Sequence, residues 1–379
     1  MIIGKKLRVL VVDDTIVYRK IVTDVLSEIP GVKVVGSANN GKTALHKIAS
    51  LKPDLITLDI EMPEMNGLQV LEQLQKDNID VSVIMLSTLT VEGGEMTIRA
   101  LELGAFDFIP KPQAGKMAEN KQAVTDQLTP VIEMLLRKKE LRSKLRGAGG
   151  DNKLPARAGL LDKQKQKEPV KRVVKRTSAG IVSKVPKSKA EIVAIGISTG
   201  GPNALAKMMP KLPANLNVPI VIVQHMPPVF TQSLAKSLNS KCAITVKEAE
   251  NGELLMPNVA FIAPGGKQMK IVAHADGKNR VIKITDDPPV NSCKPSADYL
   301  FASVASHYIG RATGVIMTGM GSDGSEGLKK MLGNGASIIA QDQDSCTVYG
   351  MPKEPIESGT AERIVPLDRI ADEILKTVK

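Results

Sequence analysis

Short, wholly apolar runs alternate along this chain with longer stretches in which apolar residues recur every three or four positions. Leu7–Val12, Val32–Ser37, Leu55–Leu58, Val81–Leu86 and Phe106–Ile109 have the length and β-branched content of strands buried on both faces. Between them, Val17–Ser27, Lys42–Leu51, Gly67–Gln75 and Met96–Leu103 carry a helical period, and a last helix is predicted near Lys121–Leu141. Five such βα repeats within about 140 residues predict a doubly wound parallel sheet.

The rhythm stops and then resumes near residue 190. Ile192–Ile197, Val218–Gln224 and Gly314–Met317 again read as buried parallel strands. The stretch from Ala260 through Pro264-Gly-Gly266 to Ile284 differs, with short strands and turns that suggest an antiparallel insertion. The expected fold is α/β, with two doubly wound domains at 1–125 and 189–379 joined by residues 126–188. The length of 379 residues, too great for one ordinary core, agrees with two domains.

Charge sharpens the picture of the joining segment. Residues 137–190 hold eighteen Lys and Arg against four acidic residues, although the whole chain is only +11, so the rest is net acidic. Lys163-Gln-Lys-Gln-Lys167 and Lys171-Arg-Val-Val-Lys-Arg176 have no sustained apolar period, which predicts a partly disordered tether. Such a tether either solubilises or makes peripheral contact with anionic lipid or an acidic partner. Specific nucleic-acid binding is disfavoured: no reader motif accompanies the charge, and with no Trp and 2% aromatic residues stacking platforms are scarce. No window holds the roughly 20 apolar residues needed to span a bilayer. Met1-Ile-Ile-Gly-Lys-Lys lacks a signal-peptide core, and the three cysteines are scattered. A cytoplasmic protein is expected.

Candidate chemistry sits at the strand ends. Asp13 and Asp14 follow the first strand, Asp59 the third, Ser87 the fourth and Lys111 the fifth. In a doubly wound sheet the first and third strands are neighbours, so three carboxylates converge and repel unless a cation offsets them. Hard oxygen ligands suit Mg²⁺. With the lysine as a second positive charge, the group suits phosphoryl transfer to a carboxylate. A single aspartate there would read as a cap or turn residue; the set does not.

In the second domain, Ser198 ends a strand within Gly196-Ile-Ser-Thr-Gly200, a G-x-S-x-G pattern that also fits a phosphate-cradling turn. His225 ends Val218-Pro-Ile-Val-Ile-Val-Gln-His225, and Asp323 lies in the loop Thr318-Gly-Met-Gly-Ser-Asp-Gly324. Of the four histidines, His46, His274 and His307 fall on a polar helix, the insertion and a helical run. Only His225 terminates an apolar strand. Serine, histidine and aspartate at one sheet edge can supply a nucleophile, its base and the group that orients the base. Backbone N–H groups near Thr199 and Met320 could hold an oxyanion.

Val11-Val-Asp-Asp-Thr15, Leu58-Asp-Ile-Glu-Met-Pro-Glu-Met-Asn-Gly67 and Lys111-Pro112 resemble a two-component receiver domain, of flavodoxin-like fold. The resemblance implies phosphorylation of Asp59, Mg²⁺ held by Asp13, Asp14, Asp59 and the Glu61 carbonyl, and switching through Ser87 and Phe108. Thr15 and Asn66 replace the more usual Ser and Asp. Gly196-Ile-Ser-Thr-Gly-Gly-Pro202, Gln224-His-Met-Pro-Pro228, Ile262-Ala-Pro-Gly-Gly266, Met317-Thr-Gly-Met-Gly-Ser-Asp-Gly324 and Ala340–Lys353 resemble the Rossmann-like catalytic domain of the chemotaxis protein-glutamate methylesterase family. Gln268, Lys294 and Val229 stand where histidine, arginine and glycine are frequent in that family.

This second resemblance implies hydrolysis of glutamyl methyl esters on methyl-accepting chemotaxis receptors, with deamidation of receptor glutamines. Ser198 would be the nucleophile, His225 the base and Asp323 its orienter, assisted by Thr199 and the Met320 N–H, with no cofactor for hydrolysis. A histidine kinase would be the phosphodonor, and the unphosphorylated receiver would cover the cleft. Two other readings are a phospho-regulated binding module without turnover and a regulator whose basic linker engages nucleic acid.

Overall fold

The computed structural model describes residues 6–112, 116–147 and 185–378. The expected disorder of the tether between residues 148 and 184 lies outside the described residues.

The first α/β unit runs β1 (Leu7–Val12), α1 (Ile16–Glu28), β2 (Val32–Ala38), α2 (Gly41–Leu51), β3 (Leu55–Asp59), α3 (Gly67–Lys76), β4 (Ser82–Ser87), α4 (Val91–Glu102), β5 (Asp107–Pro110) and α5 (Met117–Gly147). All neighbouring strands are parallel, in the order β2-β1-β3-β4-β5. The order reverses between β1 and β3, where Val12 pairs with Leu58. Asp13 and Asp59 therefore leave the sheet side by side, at the place where such sheets carry their sites.

Two helices differ from expectation. α4 begins at Val91, five residues before the predicted Met96, because the Thr90 hydroxyl accepts the Gly93 N–H at 2.9 Å and starts the helix there. Val91-Glu-Gly-Gly-Glu offers too little apolar period to announce this. α5 extends to residue 147, so the start of the basic segment is helical.

The second unit runs β6 (Ile192–Ile197), α6 (Gly201–Met208), β7 (Ile220–Gln224), α7 (Phe230–Asn239), β8 (Thr245–Glu248), β9 (Val259–Ile262), β10 (Gln268–Ala273), β11 (Arg280–Thr285), α8 (Ala297–His307), β12 (Ala312–Ile316), α9 (Ser325–Gly333), β13 (Ser337–Gln341), α10 (Lys353–Glu357), β14 (Arg363–Val365) and α11 (Ile370–Val378). Seven parallel strands form one sheet in the order β14-β13-β12-β6-β7-β9-β8. β10 and β11 make the expected antiparallel pair. Ala260–Ile262, read as part of that insertion, instead adds a parallel strand beside β7. A run this short has no periodicity with which to name its partner.

One of the three buried apolar clusters runs across both units. Ile98 and Leu101 of α4, with Ala105, belong to the same buried cluster as Phe230, Leu234 and Leu238 of α7. Among the described residues no helix is long and apolar enough to cross a membrane.

Candidate active site and phosphoacceptor pocket

In the seven-stranded sheet the order reverses between β6 and β12, and the three candidate residues gather at that point. Ile197 pairs with Gln224 across β6 and β7, so Ser198 and His225 are each one residue past a matched pair. The Ser198 N–H donates to the Thr318 carbonyl at 3.0 Å, tying the serine to the loop after β12. The buried Gln224 amide holds the turn by donating to the carbonyls of Ser198 (3.1 Å) and His225 (3.3 Å). Two glycines are required here. Gly200 has φ +76°, and a Cβ on it would fall 2.4 Å from Thr347. A Cβ on Gly319 would meet Met351 Sδ at 2.3 Å and Ser198 Cβ at 2.8 Å.

His225 Nε2 and Asp323 Oδ2 are hydrogen-bonded at 2.8 Å. Asp323 is buried and receives four further donors: Ala297 N–H (2.6 Å), Ser296 Oγ (2.7 Å), Asp298 N–H (3.2 Å) and Asn291 Nδ2 (3.2 Å). The carboxylate thus sits on the N-terminus of α8, where unpaired N–H groups and the helix dipole favour negative charge. Burial alone would raise its pKa, but the His225 contact, the Ser296 hydroxyl and the Ala297 N–H outweigh it and hold the group below its ordinary value. Burial likewise works to lower the His225 pKa. Hydrogen bonds to Asp323 and Cys293 reverse this and push it up to about 9.

The third contact is not made in this state. Among the described residues no hydrogen bond joins the Ser198 hydroxyl to the imidazole, and His225 Nδ1 instead faces Cys293 Sγ at 3.8 Å. Catalytic hydrogen bonds are often loose before substrate binds. The N–H groups of Thr199 and Met320 have no acceptor among the described residues.

Sequence reasoning missed the loop between β11 and α8. Asn291 and Ser296 both grip Asp323, and Ser296 also caps α8 by accepting the Tyr299 N–H. Gln268, noted only as a departure from a family pattern, is fully buried. It donates to the Pro288 and Cys293 carbonyls (3.2 Å each) and accepts from Ser296 N–H (2.9 Å). The Ser296 cap before a helix was a readable signal; the loop's approach to Asp323 was not.

In the first unit Asp13 and Asp59 are buried, and Lys111 Nζ lies 2.7 Å from a carboxylate oxygen of each. The ligand oxygens of Asp13, Asp14 and Asp59 all lie within 4.8 Å of one another. Burial pushes the Asp59 pKa up to about 6; Lys111 opposes that and Asp13 adds to it. One lysine incompletely offsets three carboxylates, and an all-oxygen donor set of this kind fits a hard divalent cation. Glu61 is exposed just past β3. Ser87 is buried, accepting from Thr97 Oγ1 at 2.6 Å and donating to the Gly93 carbonyl at 3.2 Å.

The face of the first unit that carries Phe108 lies on the second unit beside the Ser–His–Asp cluster. Phe108 packs on Phe230, five residues after His225. Glu102 pairs with Lys241 and accepts from Ser237, and Lys236 Nζ lies 3.2 Å from Glu95. A Cβ on Gly94 of α4 would stand 2.7 Å from Ser233 Oγ, so the helices touch closely. Asp107, pushed up to about 6 by burial, has its charged form favoured by the Phe108 N–H and by the side chain of Thr199, the neighbour of Ser198.

The chain matches two family models: CheB methylesterase over residues 193–374 and the response regulator receiver domain over residues 9–122. It is 56% identical over 375 residues to a protein-glutamate methylesterase/protein-glutamine glutaminase of Desulfotalea psychrophila, covering 99% of both chains. It is 43% identical over 374 residues to the protein of the same name from Bacillus subtilis, covering 98% of this chain and 99% of that one. Among solved structures, the Thermotoga maritima CheB methylesterase catalytic domain is 40% identical, with a TM-score of 0.48, covering 50% of this chain and 99% of that one. The response regulator domain of the same organism's CheB is 42% identical, with a TM-score of 0.30, covering 36% and 95%. This chain belongs to the CheB methylesterase family and carries a response regulator receiver domain ahead of the methylesterase region.

Proposed function

We propose that this protein is a phosphorylation-activated protein-glutamate methylesterase and protein-glutamine glutaminase, acting in the cytoplasm on methyl-accepting chemotaxis receptors. The observation that carries the reading is the 2.8 Å bond from His225 to a buried, five-fold-satisfied Asp323, one register step from Ser198 at the switch point of the sheet.

In this reading Ser198 Oγ attacks the ester carbonyl and His225 takes its proton. The tetrahedral oxyanion is held by the Thr199 and Met320 N–H groups. The imidazolium returns the proton to the departing methanol, and a water deprotonated by His225 then releases the glutamate carboxylate and restores Ser198. Asp323 remains anionic, fixing the ring and stabilising the imidazolium. With Nε2 committed to Asp323, Nδ1 is the nitrogen left for the serine proton. A glutamine side chain follows the same path with ammonia leaving.

Control comes from the first unit. Asp59 accepts a phosphoryl group from a histidine kinase. Asp13, Asp14 and Asp59, with the Glu61 carbonyl, would hold Mg²⁺, which supplies positive charge against the phosphate oxygens. Lys111 is placed to exchange its Asp59 contact for the phosphate, and Ser87 and Phe108 carry the change to the α4–α7 contact that covers the cleft. Methanol release from methylated receptor membranes tests the whole scheme. Wild type should release methanol faster with a phosphodonor, Asp59→Asn should ignore the donor, and Ser198→Ala should release none. Release by Ser198→Ala at the wild-type rate would overturn Ser198 as the nucleophile, and no release from wild type would favour a binding module.

A further inference from the structure

We propose that His225 and Cys293 form an inhibitory site for a thiophilic divalent cation such as Zn²⁺, seated on the imidazole nitrogen that ester hydrolysis requires. Cys293 Sγ lies 3.8 Å from His225 Nδ1. In tetrahedral zinc sites the metal is about 2.0–2.1 Å from nitrogen and 2.3 Å from sulfur, which places the two donors about 3.6 Å apart. The pair therefore needs to close by only a fraction of an ångström to share one ion.

Asp323 completes the arrangement without binding the metal. Its oxygens already receive five donors, so it has little capacity for a ligand role. Through Nε2 it would instead orient the ring and raise its basicity, the carboxylate–histidine–metal relay common in zinc proteins. The thiol is also positioned in advance. Val290 and Cys293 exchange backbone hydrogen bonds (3.1 and 2.9 Å), the Cys293 carbonyl accepts from buried Gln268, and Sγ contacts the Asn291 carbonyl at 3.3 Å. Cys293 is half-exposed and the His225 side chain is 16% exposed, so a hydrated ion has an approach and water can complete its coordination.

The other thiols do not offer this pairing. Burial pushes Cys242 up to about 11 and Cys346 up to about 12, which keeps both protonated. His274 pairs with Asp276. The donor set is also opposite in hardness to the Asp13–Asp14–Asp59 pocket, so nitrogen and sulfur select zinc-like ions while the carboxylates select magnesium. Binding releases the thiol proton and occupies the Nδ1 lone pair that would otherwise accept the serine proton. Metal binding rests on geometry alone; inhibition rests on His225 being the base proposed above.

The test is a Co²⁺ titration of the full-length protein in excess Mg²⁺, read by the near-ultraviolet thiolate-to-cobalt charge-transfer band. Wild type, Cys242→Ser and Cys346→Ser should show the band; Cys293→Ser and His225→Gln should not. In parallel, Zn²⁺ should inhibit methyl-ester hydrolysis reversibly with EDTA, and Cys293→Ser should need about tenfold more zinc or higher, each variant being scored against its own metal-free rate. No band in wild type, or a band that survives both Cys293→Ser and His225→Gln, overturns the site. A band that behaves as expected alongside zinc-insensitive hydrolysis overturns the inhibition and points to a different base.

Discussion

The rings of Phe108 and Phe230 lie with centroids 4.5 Å apart and planes tilted by 41°. One ring belongs to the last strand of the receiver, the other to the first residue of α7, which follows His225 and its Met-Pro-Pro turn. The residue expected to report phosphorylation thus packs directly on the element that leads out of the candidate catalytic edge. If this contact holds the cleft shut, Phe108→Ala should raise hydrolysis without a phosphodonor by roughly fivefold or more, a coupling of about 1 kcal/mol. Gly94→Val should do the same by forcing α4 from α7. Unchanged basal rates in both variants would sink the blocking role.

A pH profile should show the elevated imidazole. With its pKa raised to about 9, His225 is mostly imidazolium at pH 7, and only the neutral ring is a base. The kcat/KM of unphosphorylated enzyme should therefore climb through pH 7–9, with its half-maximum near pH 9. A plateau already reached at pH 7 would contradict the arrangement. Asp323→Asn removes the charge that holds the proton. Its acid limb should move toward the ordinary histidine value of about 6.5, with kcat lower by roughly 10⁴-fold from loss of ring orientation.

Chelation should separate the two sites. With EDTA, activation by a small-molecule phosphodonor should vanish while the basal rate persists, and excess Mg²⁺ should restore activation. Asp59→Asn should behave like the chelated protein at any Mg²⁺ concentration. Loss of basal hydrolysis on chelation would mean that the methylesterase region itself needs a metal.

Val229 should prove a strained residue. Its φ of +75° lies where a β-branched side chain is an outlier, a conformation that costs about 1–3 kcal/mol. Glycine tolerates it but spends about 0.5–1 kcal/mol more chain entropy, so Val229→Gly should stabilise by about 1 kcal/mol in denaturant unfolding. Val229→Ala should gain less. Destabilisation by Val229→Gly would mean that the Val229 packing near Gly94 outweighs the strain.

Much of this molecule was legible before its coordinates. Buried parallel strands announce themselves as apolar runs, and a polar residue just past such a run is placed at the sheet edge. That logic placed Asp13, Asp59, Ser198 and His225 at strand ends and Asp323 in the loop after β12. It failed where structure is decided by partners distant in sequence. The parallel pairing of β9 depends on β7 and β8 flanking it, the start of α4 on one threonine cap, and the grip of Asn291 and Ser296 on Asp323 on the path of a loop with no regular period. The α4–α7 contact has no local signature either, because a helix that packs on another unit shows the same apolar stripe as one that packs on its own sheet. Val229 is the converse case: its departure from a common glycine was visible, but only the left-handed backbone gives it a physical meaning.

Three donors at the start of α8, from Ser296, Ala297 and Asp298, hold Asp323 and through it His225, the acid–imidazole half of the candidate cluster. On the proposed scheme, signalling then uncovers the cleft without displacing the acid–imidazole pair. A small molecule designed to grip that pair would meet the same target whether or not the cell is responding to a stimulus. If the α4–α7 contact has the blocking role proposed, a compound wedged between those helices would mimic the stimulus itself.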